Sequence, residues 1–233
     1  TILIVYFIIF IYFFVTGSYA HMALAFLFSP LLAVIDLTLL AYLNKHLFKS
    51  FKKDLCVFIW SIAIFVSFCC FFFSFDFYQP GFQFYNSFEF EGSLSGLTYS
   101  FGWDTISFLF VGLTAYLFPI VFLSLWFLDF GNKNLFYILL FLTQFFLFNV
   151  FSVLDIFIFY IFFEAIIIPM FLIIGMWGGR DQKIYSAYLF FYYTLVGSVG
   201  MLIAILYIYM VVGSTSYLII LNFHFTYLAQ LFL

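Results

Sequence analysis

The side chain in this sequence best suited to chemistry is that of Glu164. It lies near the centre of residues 155–174, a stretch otherwise built almost entirely of Ile, Phe, Leu and Met. An ionised carboxylate at such a depth costs on the order of several kcal/mol, so an intramembrane acid is by default a functional group. No Lys or Arg lies within any apolar stretch of the chain. Either Glu164 holds a proton for much of the time, or another polypeptide or a further segment supplies its cation. Both readings point to proton or ion movement through a membrane.

A second polar set, Tyr192, Tyr193, Thr194 and Ser198, falls midway along 184–212. Thr194 and Ser198 are four apart and share a helix face. Two readings stay open for this set: a water chain beside Glu164, or ordinary interhelical hydrogen bonds. Gly197 and Gly200 suit close helix approach. Pro169, five residues after Glu164, would free a backbone carbonyl and kink its helix. The remaining acids read as structural. Asp36 is expected to hydrogen-bond a neighbouring helix, and Asp104 and Asp155 to cap the spans they start.

Redox and metal chemistry find no residues here. His21, His46 and His224 are scattered without haem-ligand spacing. Cys56, Cys69 and Cys70 form neither a C-x-x-C pair nor a disulfide framework and read as small apolar residues. There is no glycine-rich nucleotide loop. The expectation is therefore no cofactor and no metal in this chain.

These side chains need a bilayer to hold them. The chain of 233 residues is 68% hydrophobic and 7% charged, where soluble domains are about 25% charged. Seven basic residues form no patch fit for a phosphate backbone, which excludes nucleic acid as a partner. With 43 Phe and 18 Tyr, beside abundant Ile, the composition follows AT-rich codons, as in small mitochondrial genomes. At about 20 residues per crossing, the apolar segments are 2–16, 20–43, 55–75, 104–128, 134–152, 155–174, 184–212 and 218–233. The expected fold is an all-α, polytopic transmembrane helix bundle of roughly seven to eight spans. The fifth and sixth segments are divided only by a weak break around Asn149, Ser152 and Asp155.

Charge orients the bundle. Lys45, Lys49, Lys52 and Lys53 precede the third segment, Lys133 the fifth, and Arg180 and Lys183 the seventh. The intervening connections hold no basic residue, which is the positive-inside pattern. The basic loops face the matrix or cytoplasm on this reading. The loop 76–103, with Asp76, Glu89 and Glu91, faces the other side and is expected to be ordered and partly extended.

Two stretches then carry a family resemblance. Phe101–Trp126 contains GWDTIS over Gly102–Ser107. Tyr160–Tyr209 contains Phe163–Glu164 with Pro169, a Trp-Gly turn with basic residues over 177–183, and YTLVGS over Tyr193–Ser198. Order and spacing together resemble the antiporter-like chain 4 of proton-pumping NADH:ubiquinone oxidoreductase, respiratory complex I. The resemblance covers about residues 20–233, leaving 1–19 as a candidate extra N-terminal helix. Thr105 departs from the family's usual Gly, and Trp103 replaces an aliphatic residue. The family's functional lysines on its seventh and eighth helices have no counterpart here. The expectation is that another chain or segment completes the antiporter fold.

The resemblance implies a proton-relay role for Glu164, paired with a Lys on a following broken helix. Burial favours a neutral carboxyl and a nearby cation favours an ionised one, so a cation that moves switches a carboxyl between holding and releasing a proton. It further implies partner membrane-arm subunits, with flavin, iron–sulfur clusters and quinone held elsewhere in the complex, and a mitochondrial inner membrane location more than a bacterial one. Two alternatives remain: a subunit of a related multi-subunit cation/proton antiporter, and a structural membrane-arm chain without its own proton path. A rotary ATP synthase channel subunit is disfavoured, because no Arg lies in a span.

The alternating basic loops predict that cysteines placed in loops 44–54 and 175–183 react with an impermeant reagent from the same, matrix-like side. Labelling from opposite sides would contradict the segment count.

Overall fold

The computed structural model describes residues 2–43, 50–89, 98–128 and 131–225. Lys45, His46, Lys49, Glu91 and residues 226–233 of the last expected segment lie outside them. The helices are α1 (Ile2–Val15), α2 (Tyr19–Leu27), α3 (Ser29–Leu43), α4 (Ser50–Ser74), α5 (Thr105–Leu125), α6 (Lys133–Val150), α7 (Ile156–Trp177), α8 (Lys183–Val212) and α9 (Tyr217–Leu221). The loop expected to be partly extended forms a two-stranded sheet of β1 (Gln83–Glu89) and β2 (Thr98–Trp103).

Among the described residues five helices are long and apolar enough to cross a membrane, or six if α2 and α3 are one bent span. That is fewer than the seven to eight read from hydropathy. The 14 residues of α1 and the five of α9 are not among those spans.

The expected segment 20–43 is broken between α2 and α3 by 45°. Pro30 is the cause: it has no N–H to give to the carbonyl of Phe26, four residues back. The buried Ser29 hydroxyl donates to that carbonyl instead, at 2.6 Å.

The chain divides into two compact units. The first comprises Thr1–Phe84 and Trp103–Phe151, and the second Tyr85–Gly102 and Ser152–Leu233. The core of the first unit is aromatic. The Trp103 indole is fully buried and meets Phe71 at 5.1 Å, Phe84 at 5.6 Å, Phe108 at 5.8 Å and Phe26 at 5.9 Å between ring centres. Phe75 stacks on Phe108 at 4.1 Å. Such pairs add about 0.5–1.5 kcal/mol each beyond their buried area. A methyl group at Gly112 would lie 2.5 Å from the Phe68 ring, so this glycine sets how closely α5 approaches α4. α1 is tied in by Tyr6, whose buried hydroxyl donates to Ser67 Oγ on α4 at 2.8 Å.

Two acids in this unit are paired across helices. The Trp60 indole N–H donates to Asp36 Oδ2 at 2.9 Å, the interhelical bond expected for Asp36. The Tyr137 hydroxyl donates to Asp54 Oδ1 at 3.0 Å, and the Lys133 ammonium lies 3.9 Å from Asp54 Oδ2. This triad holds the starts of α4 and α6 at one end of the unit. The connections entering both helices carry basic residues, so their alternation along the sequence agrees with the packing.

Trp60→Phe removes the donor to a buried carboxyl and is expected to destabilise by about 1–3 kcal/mol. Adding Asp36→Leu should recover much of that loss, because no unpaired polar group then remains. Thermal unfolding of the single and double variants in detergent checks the coupling.

Candidate functional site

The second unit is organised around α7, and its polar termini fix where Glu164 sits. Asp155 caps α7. Its Oδ1 accepts from the Phe157 and Ile158 N–H groups at 2.9 and 3.2 Å, and its Oδ2 accepts from the Thr215 hydroxyl at 2.6 Å. The weak break read from the sequence is an extended strip paired on both sides. On one side the Gly102 N–H donates to the Ser152 carbonyl at 3.0 Å, and the Leu154 N–H to that of Ser100 at 2.9 Å. On the other the Ile156 N–H donates to Thr215 at 3.0 Å, and the Tyr217 N–H to Leu154 at 2.9 Å. Non-helical backbone is tolerated beside a bilayer when its groups are satisfied in this way. Burial pushes the Tyr99 phenol on β2 above the ordinary tyrosine range.

At the other end of α7 the chain turns sharply into α8. A methyl at Gly178 would lie 2.5 Å from the Ile174 carbonyl oxygen and 2.8 Å from Lys183 Cβ, so glycine is required for this turn. The Lys183 ammonium donates to the Met176 carbonyl at 2.8 Å, placing positive charge at the negative end of the α7 dipole.

α7 and α8 pack as an antiparallel pair. Gly175 faces Ala187, where a methyl would lie 3.7 Å from its Cβ, and Phe171 meets Phe191 at 5.6 Å. Carried along the helices, this register brings Glu164 level with Ser198. The Glu164 side chain is half-buried. The Tyr160 hydroxyl donates to its Oε1 at 2.9 Å. Ser198, 3% exposed, donates to the Leu195 carbonyl at 2.9 Å. A carboxyl that can carry a proton is thereby joined to one exchangeable hydroxyl of its own helix.

The other expected members of the polar path fall differently. Tyr192 and Tyr193 are 68% and 71% exposed and point away from the α7–α8 seam. The Thr194 hydroxyl is turned back to the Phe190 and Phe191 carbonyls at 2.7 and 3.0 Å. Among the described residues, Ser198 alone of the four is buried. Methyl groups at Gly197 and Gly200 would meet nothing within 4 Å, so the close approach expected of them is not made among the described residues. α7 continues as helix through the buried Pro169. In the first unit, Asp104 occupies the N-cap of α5, and its N–H donates to Ser107 Oγ at 2.7 Å. Tyr160 is the functional candidate that the sequence reading passed over. Its signal was the four-residue spacing to Glu164, which places both on one helix face.

With this geometry in hand, comparison with known proteins is informative. Residues 153–233 match the family described as NADH:quinone oxidoreductase/Mrp antiporter, TM. NADH-ubiquinone oxidoreductase chain 4 of Acanthamoeba castellanii is 42% identical over 186 residues, covering 80% of this chain and 36% of the relative. This chain is a relative of those chain 4 proteins. NADH-quinone oxidoreductase subunit M of Rhodobacter capsulatus is 44% identical over 152 residues, covering 65% of this chain and 28% of that one. The chain thus matches between 28% and 36% of the length of these relatives. A chain of respiratory complex I from Thermus thermophilus with bound NADH shares the fold, with a TM-score of 0.68 at 24% identity over 89% of this chain and 41% of that one. The multi-span helical membrane fold read from hydropathy and the family resemblance read from the motifs both stand.

Asp155→Ala removes the α7 cap and strands the Thr215 hydroxyl. It is expected to cost about 1–3 kcal/mol, read as a lower unfolding temperature, whereas Asp155→Asn should retain most of the cap.

Proposed function

We propose that this chain is a membrane-arm subunit of NADH:ubiquinone oxidoreductase, taking part in proton translocation coupled to quinone reduction. The observation that carries this reading is the half-buried Glu164. It is held by the Tyr160 hydroxyl in a span, Ile156–Trp177, that contains no Lys or Arg. The similarity to chain 4 proteins supports the assignment to that complex. Glu164 serves as the proton-carrying group, and its basic partner comes from a chain or segment that completes the antiporter fold. Flavin, iron–sulfur clusters and quinone sit in partner subunits, and this chain holds no redox centre of its own. The wealth of Phe, Tyr and Ile favours a mitochondrially encoded chain of the mitochondrial inner membrane.

The open faces of α7 and α8 support a position against further helices. Their spans are 17% and 11% buried, against 44% for α4 and α6. In a bilayer those faces meet lipid or neighbouring helices.

The matched family also takes in Mrp antiporters, which favours a cation/proton antiporter as the second reading. Company separates the two. Co-purification with flavin and iron–sulfur proteins supports the first, and their absence supports the second.

Under the first reading, Glu164→Gln lowers proton pumping and coupled NADH:quinone turnover while the complex still assembles. Gln keeps the shape and most hydrogen bonds but exchanges no proton. Glu164→Asp should be milder, and Glu164→Ala should match Gln in pumping while also losing stability through its cavity. Normal pumping by the Gln variant, normalised to assembled complex, would remove Glu164 from the mechanism.

A further inference from the structure

Gln144, on α6 in the first unit, is a buried amide with its bonds unmade. It is fully buried, and neither its amide oxygen nor its amide nitrogen has a hydrogen-bond partner among the described residues. Its polar neighbours on the helix are bonded to backbone. The Thr143 hydroxyl donates to the Leu140 carbonyl at 2.6 Å, and the Asn149 amide to that of Phe145 at 2.8 Å. Gln144 lies about 16 Å along α6 from Lys133 at the helical rise, near the middle of a hydrocarbon core about 30 Å thick. A bare amide at that depth is costly, and buried amides are as a rule paired.

A second group in want of a partner lies level with it. Phe122 meets Phe141 at 4.6 Å and Phe110 stacks on Phe151 at 5.3 Å, so α5 and α6 run antiparallel. Carried three residues on from the first of these contacts, the register brings Gln144 level with Pro119. Residues three apart share a helix face, so the pair keeps to the same seam. Pro119 has no N–H to give to the Ala115 carbonyl, four residues back, and Ala115 is fully buried. The Thr114 hydroxyl beside it is bonded to the Val111 carbonyl at 2.7 Å.

We infer that Gln144 and the Ala115 carbonyl hold a water molecule between α5 and α6. The amide presents an acceptor and a donor side by side, so its ligand must both donate and accept. A metal ion or an anion meets only half of that demand. Water meets all of it. One of its protons goes to Gln144 Oε1, its oxygen accepts from Nε2, and its second proton goes to the Ala115 carbonyl. About three bonds is the usual number for a buried water. Rings limit the size of the occupant: Phe141 packs on Phe122 to one side of Gln144 along α6, and Phe148 on Phe26 at 4.9 Å to the other. The site belongs to the first unit and is independent of the role proposed for Glu164.

A structure of the unaltered chain in its membrane assembly, at a resolution that shows ordered water, should place a water oxygen about 3 Å from both Gln144 amide atoms and from the Ala115 carbonyl. An ordered amide with no such density, or one bonded directly to another side chain, overturns the site. Stability adds a test of sign. Gln144→Leu keeps roughly the same volume and cannot hold the water, so the Ala115 carbonyl is left without a donor. The unfolding temperature in detergent should fall by about 2–4 °C. A dry amide predicts the opposite, because Leu then removes a bare polar group and the temperature rises. Pro119→Ala returns an N–H to the carbonyl, so in that background the same Leu substitution should lower the temperature by clearly less. A rise or no change in Gln144→Leu, or an equal fall in both backgrounds, overturns the shared water. Should Gln144→Leu fail to fold, the density in the unaltered chain still decides.

Discussion

Every polar group within a bilayer must find its partner in protein, because lipid offers none. The described helices meet much of this demand locally, although the buried Gln144 amide on α6 finds no partner among the described residues. Hydroxyls of Ser61, Thr114, Thr143 and Thr194 turn back onto carbonyls three or four residues earlier. Ser29 takes over the carbonyl that Pro30 cannot bond. The buried acids are settled in turn: Asp36 by an indole, Asp54 by a phenol and an ammonium, Asp155 by two backbone N–H groups and a hydroxyl. Glu164 has a thinner arrangement, a single tyrosine hydroxyl on one of its two oxygens. That difference marks it out from the structural acids more clearly than its position in an apolar run does.

The two units solve different problems. In the first, rings from α2, α4, α5 and both strands converge on Trp103, and a glycine at 112 lets α5 close on Phe68. Dense aromatic packing of this kind gives a rigid frame. In the second, two long helices are tied firmly at their ends, by Asp155 and Thr215 at one and by Gly178 and Lys183 at the other. Between those ends their sides are largely open. Fixed ends and an open middle suit a pair that positions a proton-carrying group against neighbouring helices.

Much of this was legible in the sequence. Segment positions follow from hydropathy, because a bilayer demands long apolar helices. The expected loop sidedness follows from the basic residues. The capping roles of Asp104 and Asp155 follow from an acid at the start of an apolar run. The break between α2 and α3 was signalled by Pro30 but hidden by unbroken hydropathy, since a bend costs no hydrophobicity.

The sequence by itself determined that this is a membrane chain with one acid out of place, and where along the chain that acid lies. Only the tertiary structure decided which hydroxyl it meets and which side chains of α8 lie beside it. Tyr192, Tyr193, Thr194 and Ser198 are equivalent by composition, and helical spacing alone cannot say which face of α8 meets α7. The contacts of Gly175 with Ala187 and Phe171 with Phe191 set that register, bringing Ser198 in and turning Tyr192 and Tyr193 out. The bond from Tyr160 is the converse case. Its spacing permits it, but a phenol at that spacing points at the acid only when the packing of its helix directs it there.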